Sequence, residues 1–242
     1  MANFSDNLVG HWLMNDDLAT TAVLDTTGVN NGTLNVNTDT ISVAGKINKA
    51  LDFDGTDDYL TVVHSASLQI NGAISISLWI NTSALTGSDG GLISKSDDSR
   101  KYFGMSAIKV YELGILGNVL YFQVSDGTIA NNVSGSISSL INGAWHHIVA
   151  TWDGTTNADG IKIYFDGVET YTGTATIAAI QNKTSVLDIG GYNEYPFKGK
   201  IDDVRIYDTA ISAYYVKLLY NNGAGTEDEN IQSNTLLLGC NF

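Results

Sequence analysis

The sequence predicts an all-β chain, one β-sandwich with a single short helix near the C-terminal end. Three observations carry this. Apolar and polar residues alternate with a period of two in many short runs, the pattern of strands with one buried face. Between the runs lies turn chemistry rich in Gly, Asn, Asp, Ser and Thr, in a chain with 25 glycines and one proline. Helical spacing is convincing in one place only, Thr209 to Asn222, with Ser212 as the expected N-cap.

Leu8 to Leu13 reads as the first strand, with Trp12 on the core side and His11 on the other. Asn15 to Asn37 is poor in apolar residues, and a loop of that length needs something to pin it. Lys49 to Val63 is strand, turn and strand around Gly55-Thr56-Asp57. In Ala73 to Asn81, Ile74, Ile76, Leu78 and Ile80 form an apolar face, and Ser75, Ser77 and Trp79 the opposite one. Trp79 is expected to be covered. Short strands follow at Gly91–Lys95, Tyr102–Ser106, Tyr111–Leu116 and Asn118–Val124. In Gly143 to Asp153 the adjacent His146 and His147 point to opposite faces, so they cannot share one zinc ion. Asp166-Gly167 sits between two alternating runs and predicts a two-residue type I′ hairpin. Ser185 to Gly191 is a further strand, followed by the aromatic loop Tyr192 to Phe197. No repeat of 20–50 residues is visible.

The length of 242 residues suits one large all-β domain. Its boundaries are expected at residues 5–222. Residues 223–242 form a tail, polar and acidic at first and ending in TLLLGCNF, which reads as a linker or an added edge strand. With 12 basic and 26 acidic residues the net charge is −14. That balance disfavours nucleic acid and anionic membranes. The one cysteine, Cys240, excludes an intrachain disulfide. No apolar run approaches the ~20 residues that span a bilayer. No secretory signal opens the sequence.

Gly199 to Ser212, GKIDDVRIYDTAIS, carries two adjacent acids at the start of a strand. Strict alternation puts Asp202 with Val204 and Ile206 on the apolar face, and Asp203 with Arg205 and Tyr207 on the other. A carboxylate at the margin of a core needs a partner. A salt bridge, a turn hydrogen bond or a hard cation such as calcium would each serve.

Taken in order, the motifs LVGHWLMND, DTTGVNNGTL, KALDFDGTDDYLTV, ISISLWIN, GAWHHIVATWDG, IKIYFDGVE, LDIGG and FKGKIDDVRIYDTAIS resemble the laminin-G-like domains of the concanavalin A-like lectin/glucanase superfamily. The resemblance implies a jelly-roll sandwich of two antiparallel sheets, one of them concave. It also implies a structural calcium ion between the early loop and the late strand. Asp25 and Asp202 would supply its carboxylates, and Asn30 and Thr33 its carbonyls. One departure is Tyr215, where the family's helix commonly carries a capping acid.

The function expected is a non-catalytic, lectin-like carbohydrate-binding module. Its partner would be a glycan or cell-surface glycoconjugate, met outside the cell or on a cell or virion surface. Tyr102, Tyr121, Tyr192, Asn193, Glu194 and Tyr195 are the candidate sugar-binding residues. The alternative is a protein-adhesion or surface structural module without a sugar site, pairing with other chains through its C-terminal tail. Catalysis is not expected. The superfamily's glucanases use a Glu-x-Asp-x-Glu strand, and no such string occurs here. Neither a Gly-x-Ser-x-Gly elbow nor an HExxH string is present.

Overall fold

The structure is a computed structural model and describes residues 7–85, 90–96, 110–191 and 195–228. Tyr102, Tyr192, Asn193, Glu194 and Cys240 lie outside the described residues, as do the expected strand at 102–106 and the TLLLGCNF end.

In chain order the strands begin with β1 (Leu8–Trp12), β2 (Ala22–Val23), β3 (Gly32–Leu34) and, after the one-turn helix α1 (Thr38–Ile41), β4 (Ser42–Ala44). Next come β5 (Lys49–Asp54), β6 (Leu60–Val62), β7 (Ile74–Asn81), β8 (Gly90–Lys95), β9 (Tyr111–Leu116) and β10 (Val119–Ser125). The series ends with β11 (Ala130–Ser136), β12 (Trp145–Trp152), β13 (Ile161–Phe165), β14 (Val168–Gly173), β15 (Leu187–Ile189) and β16 (Lys198–Tyr207) before helix α2 (Ala213–Tyr220). Sheet I has the order β14-β13-β12-β7-β16-β5-β4, with β1 also on β16. Sheet II has the order β11-β10-β9-β8-β15-β6-β3-β2. All their pairings are antiparallel, and the two sheets stack as a jelly-roll sandwich.

The core lies between the sheets and is built from the alternating apolar residues. Ile74, Ile76, Leu78 and Ile80 enter it from β7, with Trp12, Leu51 and Phe53 from β1 and β5. The hairpin turn has φ of 48° at Asp166 and 80° at Gly167, the paired left-handed conformations of a type I′ turn. α2 packs on the outer face of sheet I, where Ile211, Val216 and Leu219 meet Val149, Tyr164 and Tyr207 in a second, smaller apolar cluster. Ser212 caps α2 through its backbone carbonyl, which accepts from the Tyr215 and Val216 N–H groups at 2.9 and 3.1 Å. Its side chain makes no capping bond. α1 is a single turn that the sequence pattern does not announce.

β16 is the centre of sheet I. One edge pairs with β7 along much of its length. The other edge pairs first with β5, over Lys198 to Ile201, and then with β1, over Val204 to Tyr207. Asp202 and Asp203 lie at this change of partner. The register against β7 shifts between Asp202 and Arg205, and Asp203 has a φ of 47°. This is a β-bulge, with two residues facing one.

Candidate ligand-binding groove and the acidic bulge

The bulge corrects the strict alternation read from the sequence. Ile201, Val204 and Ile206 point into the core. Two residues separate the first pair instead of one, so Asp202, Asp203 and Arg205 all stand on the outer face. Asp202 therefore does not lead the apolar face, and Asp203 is not on the side opposite to it.

Each acid is held differently. Asp202 Oδ2 accepts from the Lys46 and Ile47 N–H groups at 2.8 and 2.9 Å. Gly45 lets that loop come so close, since a Cβ there would stand 2.8 Å from the same oxygen. Asp202 Oδ1 is buried with no hydrogen-bond partner among the described residues. Burial, together with the charges of Asp203 and Glu227, pushes the Asp202 carboxyl up to about 8. Burial works on Asp203 in the same direction, but Arg205 and His11 prevail and hold it below the usual carboxylate range. Asp203 Oδ1 lies 2.7 Å from His11 Nε2 and accepts from Arg205 Nε at 3.0 Å.

Arg205 also grips the segment after α2. Its guanidinium donates to the backbone carbonyls of Thr226 and Asp228. The Asn15 and Asn48 side-chain amides donate to Glu227 at 2.7 and 2.8 Å. Residues 224–228 thus form a strap on the outer face of sheet I. The first residues of the expected tail thus find partners on β16 and the early loops. Trp79 is covered, as expected, at 1% exposure. Its ring stacks on Tyr220 at 5.8 Å and meets His147 at 4.9 Å, and Lys46 Nζ stands 5.0 Å from its centroid.

Asp25, Asn30, Thr33 and Asp202, named above for calcium, do not converge. The Asp25 carboxylate accepts from the backbone N–H groups of His11, Thr27, Val29 and Asn30 and from the Thr27 hydroxyl. Donors, rather than other oxygens, surround it. The Asn30 carbonyl accepts from Trp12 Nε1 at 2.8 Å. Exposed Thr33 pairs with Thr61 on the outer face of sheet II. Asp202 is on the outer face of sheet I, with the core between them. Calcium needs six to eight converging oxygens, and these four residues do not fit it. Among the described residues, the carboxylates that do gather are those of Asp54, Asp57 and Asp58, within 4.8 Å of one another. They serve a turn in which Asp54 accepts from the Thr56 and Asp57 N–H groups and Asp58 from that of Asp54.

Of the described sugar-binding candidates, Tyr121 is fully buried, so it offers no open stacking surface. It lies on the outer face of sheet II, beside a polar row that the sequence reading missed. Thr61, Asp188, Ser94, Glu112 and Gln123 stand opposite one another in register across five strands. Thr61 donates to Asp188 at 2.8 Å and Ser94 to Glu112 at 3.2 Å. Only cross-strand register reveals such a row, and a single strand's pattern does not contain it. Tyr195 is half-buried, with its carbonyl accepting from Gly91 N–H at 3.1 Å.

The open concavity lies on sheet I, beyond the strap, and has a volume of about 500 Å³. Asp52 and Asp54 of β5, Asn81 of β7, and Lys198, Gly199 and Lys200 of β16 form its strand walls. Thr82, Ser83 and Ala84 form its rim. Lys198 lies opposite Asp54, and Lys200 opposite Asp52. Gly199 has a φ of 138°, and a Cβ there would sit 2.6 Å from the Asn81 carbonyl oxygen, so glycine alone lets β16 close on β7. The sequence reading missed this groove, although its neighbour in the chain, the loop ending at Phe197, was singled out.

A family model described as the concanavalin A-like lectin/glucanases superfamily matches residues 54–217. No curated protein matches the chain in sequence. Among solved structures, the binding domain of Paraclostridial Mosquitocidal Protein 1 is similar at a TM-score of 0.66 and 17% identity, over 91% of this chain and 53% of that one. The binding domain of botulinum neurotoxin DC in complex with SialylT is similar at 0.64 and 16%, over 90% and 52%. A botulinum neurotoxin type C structure, titled for cell entry dependent upon interaction with two ganglioside molecules, is similar at 0.65 and 18%, over 93% and 53%. The chain spans about half the length of these structures. At such identities the likeness is one of fold.

Proposed function

The chain belongs to the concanavalin A-like lectin/glucanases superfamily, and from that premise we propose that it is a non-catalytic glycan-binding module whose ligand occupies the groove of β5, β7 and β16. The groove itself carries the reading. Its volume of about 500 Å³ falls in the range of small-molecule sites, roughly 300–1,000 Å³. Its walls offer two carboxylates, an amide and two ammonium groups, the acceptors and donors that sugar hydroxyls use. Three strands hold these groups on a rigid frame. The ganglioside and SialylT ligands named for the structural neighbours support the same class of partner.

The chemistry of the groove favours binding over hydrolysis. A glycosidase needs one carboxylic acid kept protonated beside a second carboxylate. Burial nudges Asp54 upward, but hydrogen bonds from the N–H groups of its own turn prevail and hold it below the usual range. Asp54 is thus a poor general acid.

A glycan array with the wild-type chain and Ser83→Trp tests the proposal. Ser83 is an exposed rim residue, and an indole there would fill the groove. The expected result is binding by the wild type, lost in the variant at an unchanged melting temperature. Binding that survives would move the site elsewhere. No glycan binding by either protein would favour the adhesion reading.

A further inference from the structure

Resting on the glycan reading of the groove, we infer that the groove continues beneath the strap, where Asp202 Oδ1 and Trp79 Nε1 form a second subsite for a saccharide hydroxyl. The strap at 224–228 then governs how long a saccharide the protein accepts. Register places the pair. Lys200 of β16 stands opposite Asn81 of β7 in the groove, and the next outward-facing residues along these strands are Asp202 and Trp79, again opposite each other. Successive residues on one face of a strand lie roughly 7 Å apart, so the two rows adjoin. Asp202 is 0% and Trp79 1% exposed, and among the described residues neither Asp202 Oδ1 nor Trp79 Nε1 has a hydrogen-bond partner. The row runs on to His147 of β12, opposite Trp79, whose Nδ1 is also buried without one. Buried polar groups are ordinarily paired, and orphans side by side in one cross-strand row point to a partner from outside the chain.

The chemistry of the pair selects that partner. An indole N–H disfavours a metal cation, and a carboxylate disfavours an anion. A hydroxyl suits both, accepting from Nε1 and donating to Oδ1. Asp202 Oδ2 is taken by the Lys46 and Ile47 N–H groups, so a proton on the acid would sit on Oδ1, and a hydroxyl oxygen accepts from that form too. Tyr220 stacks on the Trp79 ring and Lys46 Nζ stands over it, so Trp79 offers its N–H edge rather than a stacking face. The strap lies against that edge. A Cβ on Gly225 would be 3.2 Å from Nε1 and 2.8 Å from the Ile47 side chain. Of residues 224–228 only Gly225 is buried. The hold on the strap is polar, from Arg205 to the Thr226 and Asp228 carbonyls and from Asn15 and Asn48 to Glu227. Lifting it breaks hydrogen bonds that water can replace and pulls no apolar side chain of its own out of a core.

Nuclear magnetic resonance of the isotope-labelled full chain reads the Trp79 indole N–H directly. The probes are lactose, cellobiose, maltose, chitobiose, any longer glycan that binds on the array, and the methyl monosaccharide of each. An oligosaccharide that binds is expected to shift the Trp79 indole resonance, and its single-ring counterpart to leave it in place. Trp79→Phe keeps a ring but removes the N–H, and should lower oligosaccharide affinity about tenfold. Glu227→Ala frees the strap from Asn15 and Asn48 without touching the groove or the pair. It should raise oligosaccharide affinity several-fold and leave single-ring binding unchanged. If Trp79→Phe does not fold, the resonance and Glu227→Ala decide alone. A resonance that a bound oligosaccharide leaves unmoved overturns the subsite and assigns the pair to ordered water. Unchanged oligosaccharide affinity in Glu227→Ala overturns the strap's part. Either result leaves the groove standing, whereas failure of every sugar, here and on the array, overturns the glycan reading itself.

Discussion

The two oxygens of Asp202 have opposite surroundings, one taken by two backbone N–H groups and the other buried without a partner. Burial raises its folded pKa to about 8, above the 3.8 of a free aspartate. The native state thus holds this proton more tightly than the unfolded chain, and its contribution to stability falls as pH rises from about 4 to about 8. His147, pushed down by burial to about 4, works the other way, costing stability as pH falls below its usual value of 6.5. A comparison of variants separates the two. Asp202→Asn mimics the neutral acid. It is expected to melt several degrees above the wild type at pH 8.5, and the gap should close by pH 4. Melting curves that run parallel across this range would refute the assignment. The awkwardness of Asp202 was visible in the sequence, since an acid beside Val204 and Ile206 has to be satisfied. Its face was not, because alternation is a local rule and a bulge breaks it without altering composition.

At the scale of elements, β16 performs three tasks along ten residues. Its first residues line the groove, its bulge anchors the loop at 46–47, and Arg205 secures the strap. Gly199 makes the first of these possible. Gly199→Ala places a methyl group against the Asn81 carbonyl in a conformation that L-residues rarely adopt. It is expected to cost about 2–3 kcal/mol, measured by urea denaturation. A loss below about 0.5 kcal/mol would mean that the β7–β16 approach is loose. Strands such as β7 were legible because four isoleucine or leucine residues alternate with Ser and Trp. The strap was not. Thr226, Glu227 and Asp228 read as solvated linker, and only the distant partners Arg205, Asn15 and Asn48 give them a place. The groove was hidden for the same reason. Asp52, Asn81 and Lys200 are far apart in sequence, and only the pairing of β5, β16 and β7 brings them together.

Across the whole molecule, hydrogen bonds link the early loop through β1 to the late strand. Asp25 is enclosed by N–H and O–H donors of its own loop and of β1, while His11 of that strand carries the link on to Asp203. A chelator is therefore expected to leave the melting temperature unchanged. A drop reversed by added calcium would show that other residues build an oxygen site and that a native-state ligand stabilises the fold.

The central place of β16 also bears on how the protein is made. β7 emerges from the ribosome early, and two of its neighbours in sheet I, β12 and β16, come later. At ordinary rates of translation, on the order of ten seconds pass between β7 and β16. Through that interval the nascent chain carries the apolar edge of β7 and half a sandwich with nothing to close it. Sheet I can be completed only when synthesis is nearly over. Slowing translation after β7, or removing the chaperones that shield such edges, should lower the soluble yield more than it does for a fold built from neighbouring hairpins.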